Sequence, residues 1–185
     1  MNGGDDKIPI GIQTFDTIIE GGYIYVDKTE YIYDIAHKYN YVFLSRPRRF
    51  GKSLLSSTFQ AYFSGRKDLF NNLKAGNLEK EWKQHPVLYF DMSTAKHMTA
   101  TPLLEEMDKK LYEYEQTYGR GVKDVNINQR LEGLVHRATE QTGEKAVIII
   151  DEYDAPLLDV INDREQIQPM RQIFSESTPV TVAQM

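Results

Sequence analysis

The chain contains no cysteine, which excludes disulfides and thiolate metal centres and leaves its redox compartment unconstrained. Its four histidines are scattered without ligand spacing. No apolar run approaches the roughly 18 residues that a membrane-spanning helix needs. The opening stretch, MNGGDDKIPI, is acidic and lacks the basic-then-apolar order of a secretory leader. These absences lead to the expectation of a cytoplasmic protein with no membrane association. A surplus of positive charge is missing too: 22 Lys and Arg against 27 Asp and Glu leave a net charge of −5. That balance argues against a broad nucleic-acid-binding surface and leaves room only for a local basic patch. There is no internal repeat and no low-complexity segment.

What is present is enough for one ordinary core. The 185 residues are 41% hydrophobic and 26% charged, a balance that predicts a single soluble domain rather than disorder. Residues 1–7 read as a loose N-terminal end, 8–175 as the domain and 176–185 as a divergent tail.

The chemistry concentrates in YVFLSRPRRFGKS, Tyr41 to Ser53. Tyr41 to Ser45 is a short β-rich run, Arg46 to Phe50 lacks periodicity, and Gly51-Lys52-Ser53 opens a segment with helical spacing. Strand, loop and helix in that order are the context of a phosphate loop. A triphosphate needs converging backbone N–H groups, a helix N-terminus, a cation for the β/γ oxygens and a hydroxyl for Mg²⁺. Gly51, Lys52 and Ser53 supply these. The candidate cradle is Arg46, Pro47, Arg48, Arg49, Phe50, Gly51, Lys52, Ser53 and Leu54. One position departs from the usual G-x-x-x-x-G-K-[ST], whose first glycine falls on Arg46. The plain alternative is a polar turn at the start of a core helix.

A second half of the site lies in AVIIIDEYD. An apolar run closed by an acid suits a buried parallel strand that delivers Asp151 to its C-terminal edge. An acid there can help hold the Mg²⁺ of a bound nucleotide, as in the Walker B arrangement. Glu152 is placed like the base that orients attacking water. The order and separation of the two motifs together predict nucleotide binding.

With both motifs in view, YVDKTEYI, FLSRPRRFGKSLL, AYFSGRKDLF, HPVLYFDMS and IIIDEYDAPL resemble the AAA-ATPase-like domain of bacterial proteins. The resemblance covers residues 8 to 175, with RPRRFGKS its most specific piece. That family's loop carries arginine where the usual glycine is missing, so Arg46 fits it. The resemblance implies a P-loop NTPase-like three-layer α/β sandwich with a mainly parallel sheet, ATP and Mg²⁺ as ligands, and ATPase chemistry. Longer members of the family often carry a PD-(D/E)XK nuclease-like domain after this one, so a C-terminal nuclease-like domain or a protein partner is expected; homo-oligomerisation is left open.

Periodicity supplies further expectations. Phe15, Ile18 and Ile19 predict a helical turn broken at Gly21-Gly22, and Tyr23 to Val26 a small strand. Asp27 is expected to cap a helix with Glu30 completing a capping box, presenting Ile32, Ile35, Ala36 and Tyr39 to the core. Tyr25 and Tyr31 fit either an adenine pocket or plain packing. A helix carrying Leu54, Leu55, Phe59, Tyr62 and Phe63 is expected to end at Gly65. Leu69, Phe70 and Leu73 mark a short helix, and Gly76-Asn77 a break. Strands are expected at 41–45, 86–91 and 146–151. Asp91, which ends the second, reads as a turn former or as a reach toward the metal. Helices are expected from Thr101-Pro102 to Gly119, from Ile127 to Gly143, and beyond Asn162. The resemblance places one more strand between the two motif strands, and only Pro179 to Ala183 remains to form it. The fold is therefore expected to be incomplete at its C-terminal end, with the facing edges of the motif strands unpaired.

Three functional classes follow: an ATPase in which Lys52 binds phosphate, Ser53 and Asp151 hold Mg²⁺ and Glu152 orients water; a non-hydrolysing nucleotide switch regulating a partner; and a nucleic-acid-binding module using Arg46, Arg48, Arg49 and Lys52. Arg48 and Arg49 serve equally well as γ-phosphate contacts, as reach toward a neighbouring subunit, or as solvated loop residues.

Overall fold

The computed structural model describes residues 7–44, 50–92, 100–151 and 181–184, with 100–104 and 181–184 described by backbone alone. The chain divides into two compact units, residues 1–39 with 47–84 and residues 40–46 with 85–185.

The first unit is helical around an aromatic core. Helix α1 (Phe15–Glu20) buries Phe15 and Ile18 and stops at Gly21. Phe15 sits 4.9 Å from Phe70 and 5.3 Å from Tyr25, ring centre to ring centre, and Trp82 packs on both Tyr62 and Phe70. The strand expected at Tyr23 to Val26 does not form. Tyr23 makes only an isolated bridge to Lys7, too little for a ladder.

Helix α2 (Thr29–Lys38) starts later than expected, with Lys28 at the N-cap position. Asp27 is engaged in two directions. Its Oδ1 accepts from the N–H and hydroxyl of Thr29 at 2.9 and 2.7 Å, while its Oδ2 accepts from Lys74 N–H at 2.8 Å. Thr29 Oγ1 in turn accepts from Ala75 N–H. Asp27 and Thr29 therefore cap helix α4 (Lys74–Leu78) across the chain, and Glu30 pairs with Lys74 Nζ at 2.6 Å instead of closing a capping box. Ile32 is buried as expected, whereas Tyr39 lies past the helix end and is exposed.

Helix α3 (Lys52–Phe63) buries Phe59, Tyr62 and Phe63. It ends in a Schellman motif: Arg66 N–H donates to Ala61 O, Gly65 N–H donates to Tyr62 O, and Gly65 adopts φ 71°. A short 3₁₀ turn (Lys67–Phe70) leads into α4. Gly76 lies inside α4 rather than breaking it.

The second unit is an α/β layer. Strands β1 (Tyr41–Leu44), β2 (Val87–Asp91), β3 (Val147–Asp151) and β4 (Thr181–Gln184) form a parallel sheet in the order β1-β4-β3-β2. β4 lies between β1 and β3 and pairs with both, so the facing edges of the motif strands are not left unpaired. The extra strand that the resemblance places between the motif strands is thus formed, over Thr181–Gln184 where Pro179 to Ala183 was the remaining candidate, and the expected open gap is overturned. Parallel order requires crossovers, which is why helices separate the strands.

Helix α5 (Ala100–Tyr118) ends at Gly119, φ 82°. Helix α6 (Ile127–Thr142) starts with a capping box between Asn126 and Gln129 and ends at Gly143, φ 73°. Met107, Leu111, Leu131 and Leu134 of these helices pack with Leu88, Phe90, Ile148 and Ile150 of β2 and β3. The two-residue period of a strand then puts Tyr89, Ile149 and Asp151 on the opposite face. The helix expected beyond Asn162 lies outside the described residues.

Candidate functional site

Gly51 immediately precedes α3 and adopts φ 73°, ψ 29°, a left-handed conformation that glycine reaches without strain. A Cβ placed on Gly51 would meet nothing within 4 Å among the described residues, so among these it is backbone conformation that calls for glycine. The helical ladder begins with Leu55 N–H donating to Gly51 O at 3.0 Å; the amides of Lys52, Ser53 and Leu54 lie ahead of that first bond. The first turn carries no acid. It carries Lys52 instead, itself only 6% exposed. A helix start built for stability alone favours Asp or Glu against the positive end of the macrodipole, whereas a lysine there suits an anionic ligand. Ser53 and Leu54 are half-buried and Phe50 is exposed. One turn on, Ser56 is fully buried and its hydroxyl has no hydrogen-bond partner among the described residues.

Asp151 closes β3, which is buried along its whole length, and is itself 2% exposed. Tyr89 on β2 donates from its phenol to Asp151 Oδ2 at 3.0 Å. The backbone of Tyr89 is tied to α5: its N–H donates to Tyr114 Oη at 2.7 Å, and Tyr114 Oη donates to Tyr89 O at 3.1 Å. Burial pushes the Tyr114 phenol up, with the Tyr89 backbone pulling the other way, so it stays a neutral donor and acceptor. Asp91 is in register with Asp151 and is exposed. Nothing in the sequence marked Tyr89, because strand register alone joins residues so far apart in the chain.

Gly51, Lys52, Ser53 and Leu54 are thus gathered at the start of α3 in the first unit, and Asp151 stands at the end of β3 in the second. Arg46, Pro47, Arg48, Arg49 and Glu152 lie outside the described residues. Tyr25 packs edge-on against Phe15, and burial raises its phenol pKa; Tyr31 is exposed.

A family model described as "Predicted AAA-ATPase" matches residues 9–179. The chain belongs to this AAA-ATPase-like family. Membership agrees with the resemblance carried by RPRRFGKS and IIIDEYDAPL and supports nucleotide binding in general. A relative, "Uncharacterized protein in vnfD 5'region" of Azotobacter chroococcum mcd 1, is 36% identical over 166 residues, covering 89% of this chain and 32% of that protein. The chain therefore spans about a third of the length of this curated relative. No solved structure matches the chain. Among the described residues of this AAA-ATPase-like chain, no helix is long and apolar enough to cross a membrane.

Each half of the candidate site, taken by itself, carries groups that suit a nucleotide or its metal. Among the described residues there is no cluster of three or more His, Asp or Glu able to cage an ion. Mg²⁺ at a nucleotide site needs none, since it keeps several waters and takes one or two protein oxygens beside the phosphates. A carboxylate closing a buried strand and a serine at a helix start are donors of that kind.

Proposed function

We propose that residues 8–175 work as one P-loop NTPase-like domain that binds ATP with Mg²⁺ and hydrolyses it. The observation that carries this reading is Lys52: a buried lysine in the first turn of α3, directly after left-handed Gly51. Gly51 and the amides up to Leu54 would cradle phosphate oxygens, Lys52 would neutralise the β/γ charge, and Ser53 and Asp151 would hold the metal. Bound Mg²⁺ supplies charge neutralisation on the phosphates. Glu152, directly after Asp151, would orient water and accept its proton. Arg46 to Arg49 would complete the loop. Most of the catalysis would be positioning and electrostatic stabilisation.

The test is calorimetric titration of ATP into the wild type and the Lys52→Ala variant, together with phosphate release by Glu152→Gln. The expected results are lost affinity in the first variant, and retained binding with lost turnover in the second. Unchanged ATP affinity without Lys52 would remove the phosphate-loop assignment. Equal turnover without the Glu152 carboxylate would remove the catalytic glutamate, and binding with no turnover in the wild type would favour a nucleotide switch. The greater length of the curated relative leaves space for a partner domain, and a nuclease-like one is the expectation carried by the resemblance.

A further inference from the structure

We infer that Tyr89 is a positioning residue for the metal carboxylate, its phenol holding Asp151 in the orientation that accepts Mg²⁺ with the nucleotide. The inference rests on the ATP-binding reading above and adds a residue that neither motif contains.

Three observations converge on it. The phenol oxygen of Tyr89 lies 3.0 Å from Asp151 Oδ2, at the long end of the O–H···O range, a contact that engages one carboxylate oxygen and restrains rotation about the side chain. Tyr89 and Asp151 stand on the sheet face opposite α5 and α6, on adjacent parallel strands whose register pairs Tyr89 with Ile149 and Asp91 with Asp151. This is a diagonal cross-strand relation, which a ring as long as tyrosine can span. Tyr89 is itself held from outside the sheet, since its backbone N–H and C=O both bond to the Tyr114 hydroxyl. A buried carboxylate that binds a metal through one oxygen gains from an outer partner that fixes the other, because the ordering cost is then met before the ion arrives. A tyrosine suits the role better than a cation would: it donates one hydrogen bond without cancelling the negative charge that the metal needs.

The experiment compares wild type, Tyr89→Phe, Asp151→Asn and the double variant by calorimetry with ATP, once in Mg²⁺ and once in EDTA, with a melting curve for each. In wild type Mg²⁺ should strengthen binding, and Asp151→Asn should abolish that gain. Tyr89→Phe keeps the ring, so it should melt as wild type does and bind equally in EDTA, while its Mg²⁺-dependent gain falls about tenfold. On the Asp151→Asn background, removing the Tyr89 hydroxyl should change nothing further. If wild type shows no Mg²⁺-dependent gain, the ATP·Mg reading itself fails and Tyr89 with it. If wild type and Asp151→Asn behave as expected but Tyr89→Phe matches wild type, the Tyr89 role alone is overturned. It is also overturned if Tyr89→Phe weakens binding equally in EDTA, or still acts when Asp151 is gone.

Discussion

Gly76 lies so close to Phe70 that a Cβ on Gly76 would stand 1.9 Å from the Phe70 carbonyl oxygen. The contact is with backbone and has no side chain to rotate away. Gly76→Ala should therefore destabilise the first unit by about 2 kcal/mol through overpacking, despite alanine's better helix propensity. Urea denaturation read by Trp82 fluorescence checks this. A variant as stable as wild type would mean that α4 shifts freely on the 3₁₀ turn.

In the second unit, Arg130 reaches across to Glu115 with a two-pronged contact, Nε to Oε1 at 2.7 Å and Nη2 to Oε2 at 3.0 Å, and also donates to Asp108. The side chains of Arg130 and Glu115 are 4% and 2% exposed. Arg130→Leu should cost about 3 kcal/mol, because it leaves the buried Glu115 carboxylate with only the longer contact to Arg120 at 3.9 Å. The Arg130→Leu/Glu115→Leu double variant should recover much of that loss. Additive losses would show that the pair is not coupled.

Acid should weaken the fold through Asp124. Burial alone would raise its carboxyl, but the Gly121 N–H at 2.8 Å and Arg137 at 2.7 Å more than offset this and hold it below the usual carboxylate range. Asp27, held down by Thr29 and Lys74 against its burial, behaves alike. A depressed folded pKa contributes stability above the unfolded value, roughly 4 for aspartate, and loses it as pH falls through the folded value. Asp124→Asn should cost about 1–3 kcal/mol at pH 7, with the gap to wild type closing on acidification. A gap independent of pH would remove Asp124 from the acid response.

Strand β4 sits between the two motif strands, with Val182 in register with Val42 and Ile149. Val182→Pro removes a ladder donor from a central strand and should cost about 1–3 kcal/mol for each backbone group left unsatisfied. A lowered melting temperature is the expected result. An unchanged one would mean that β4 does not hold β1 to β3.

The amino-acid sequence by itself determined the elements whose signals are local. VLYFD and VIIID announced β2 and β3, and Gly65, Gly119 and Gly143 the ends of α3, α5 and α6, because apolar periodicity and left-handed glycines act within a turn or a strand. It also led to the family, through the order of RPRRFGKS and IIIDEYD. Tertiary structure alone decided how Asp27 divides its oxygens between Thr29 and Lys74, why Gly76 is glycine, that Thr181–Gln184 enters the sheet, and that Tyr89 reaches Asp151. Each of these depends on which backbone lies beside which. A capping acid, a glycine or a short β-prone tail has several local uses, and only a partner brought from elsewhere in the chain selects one.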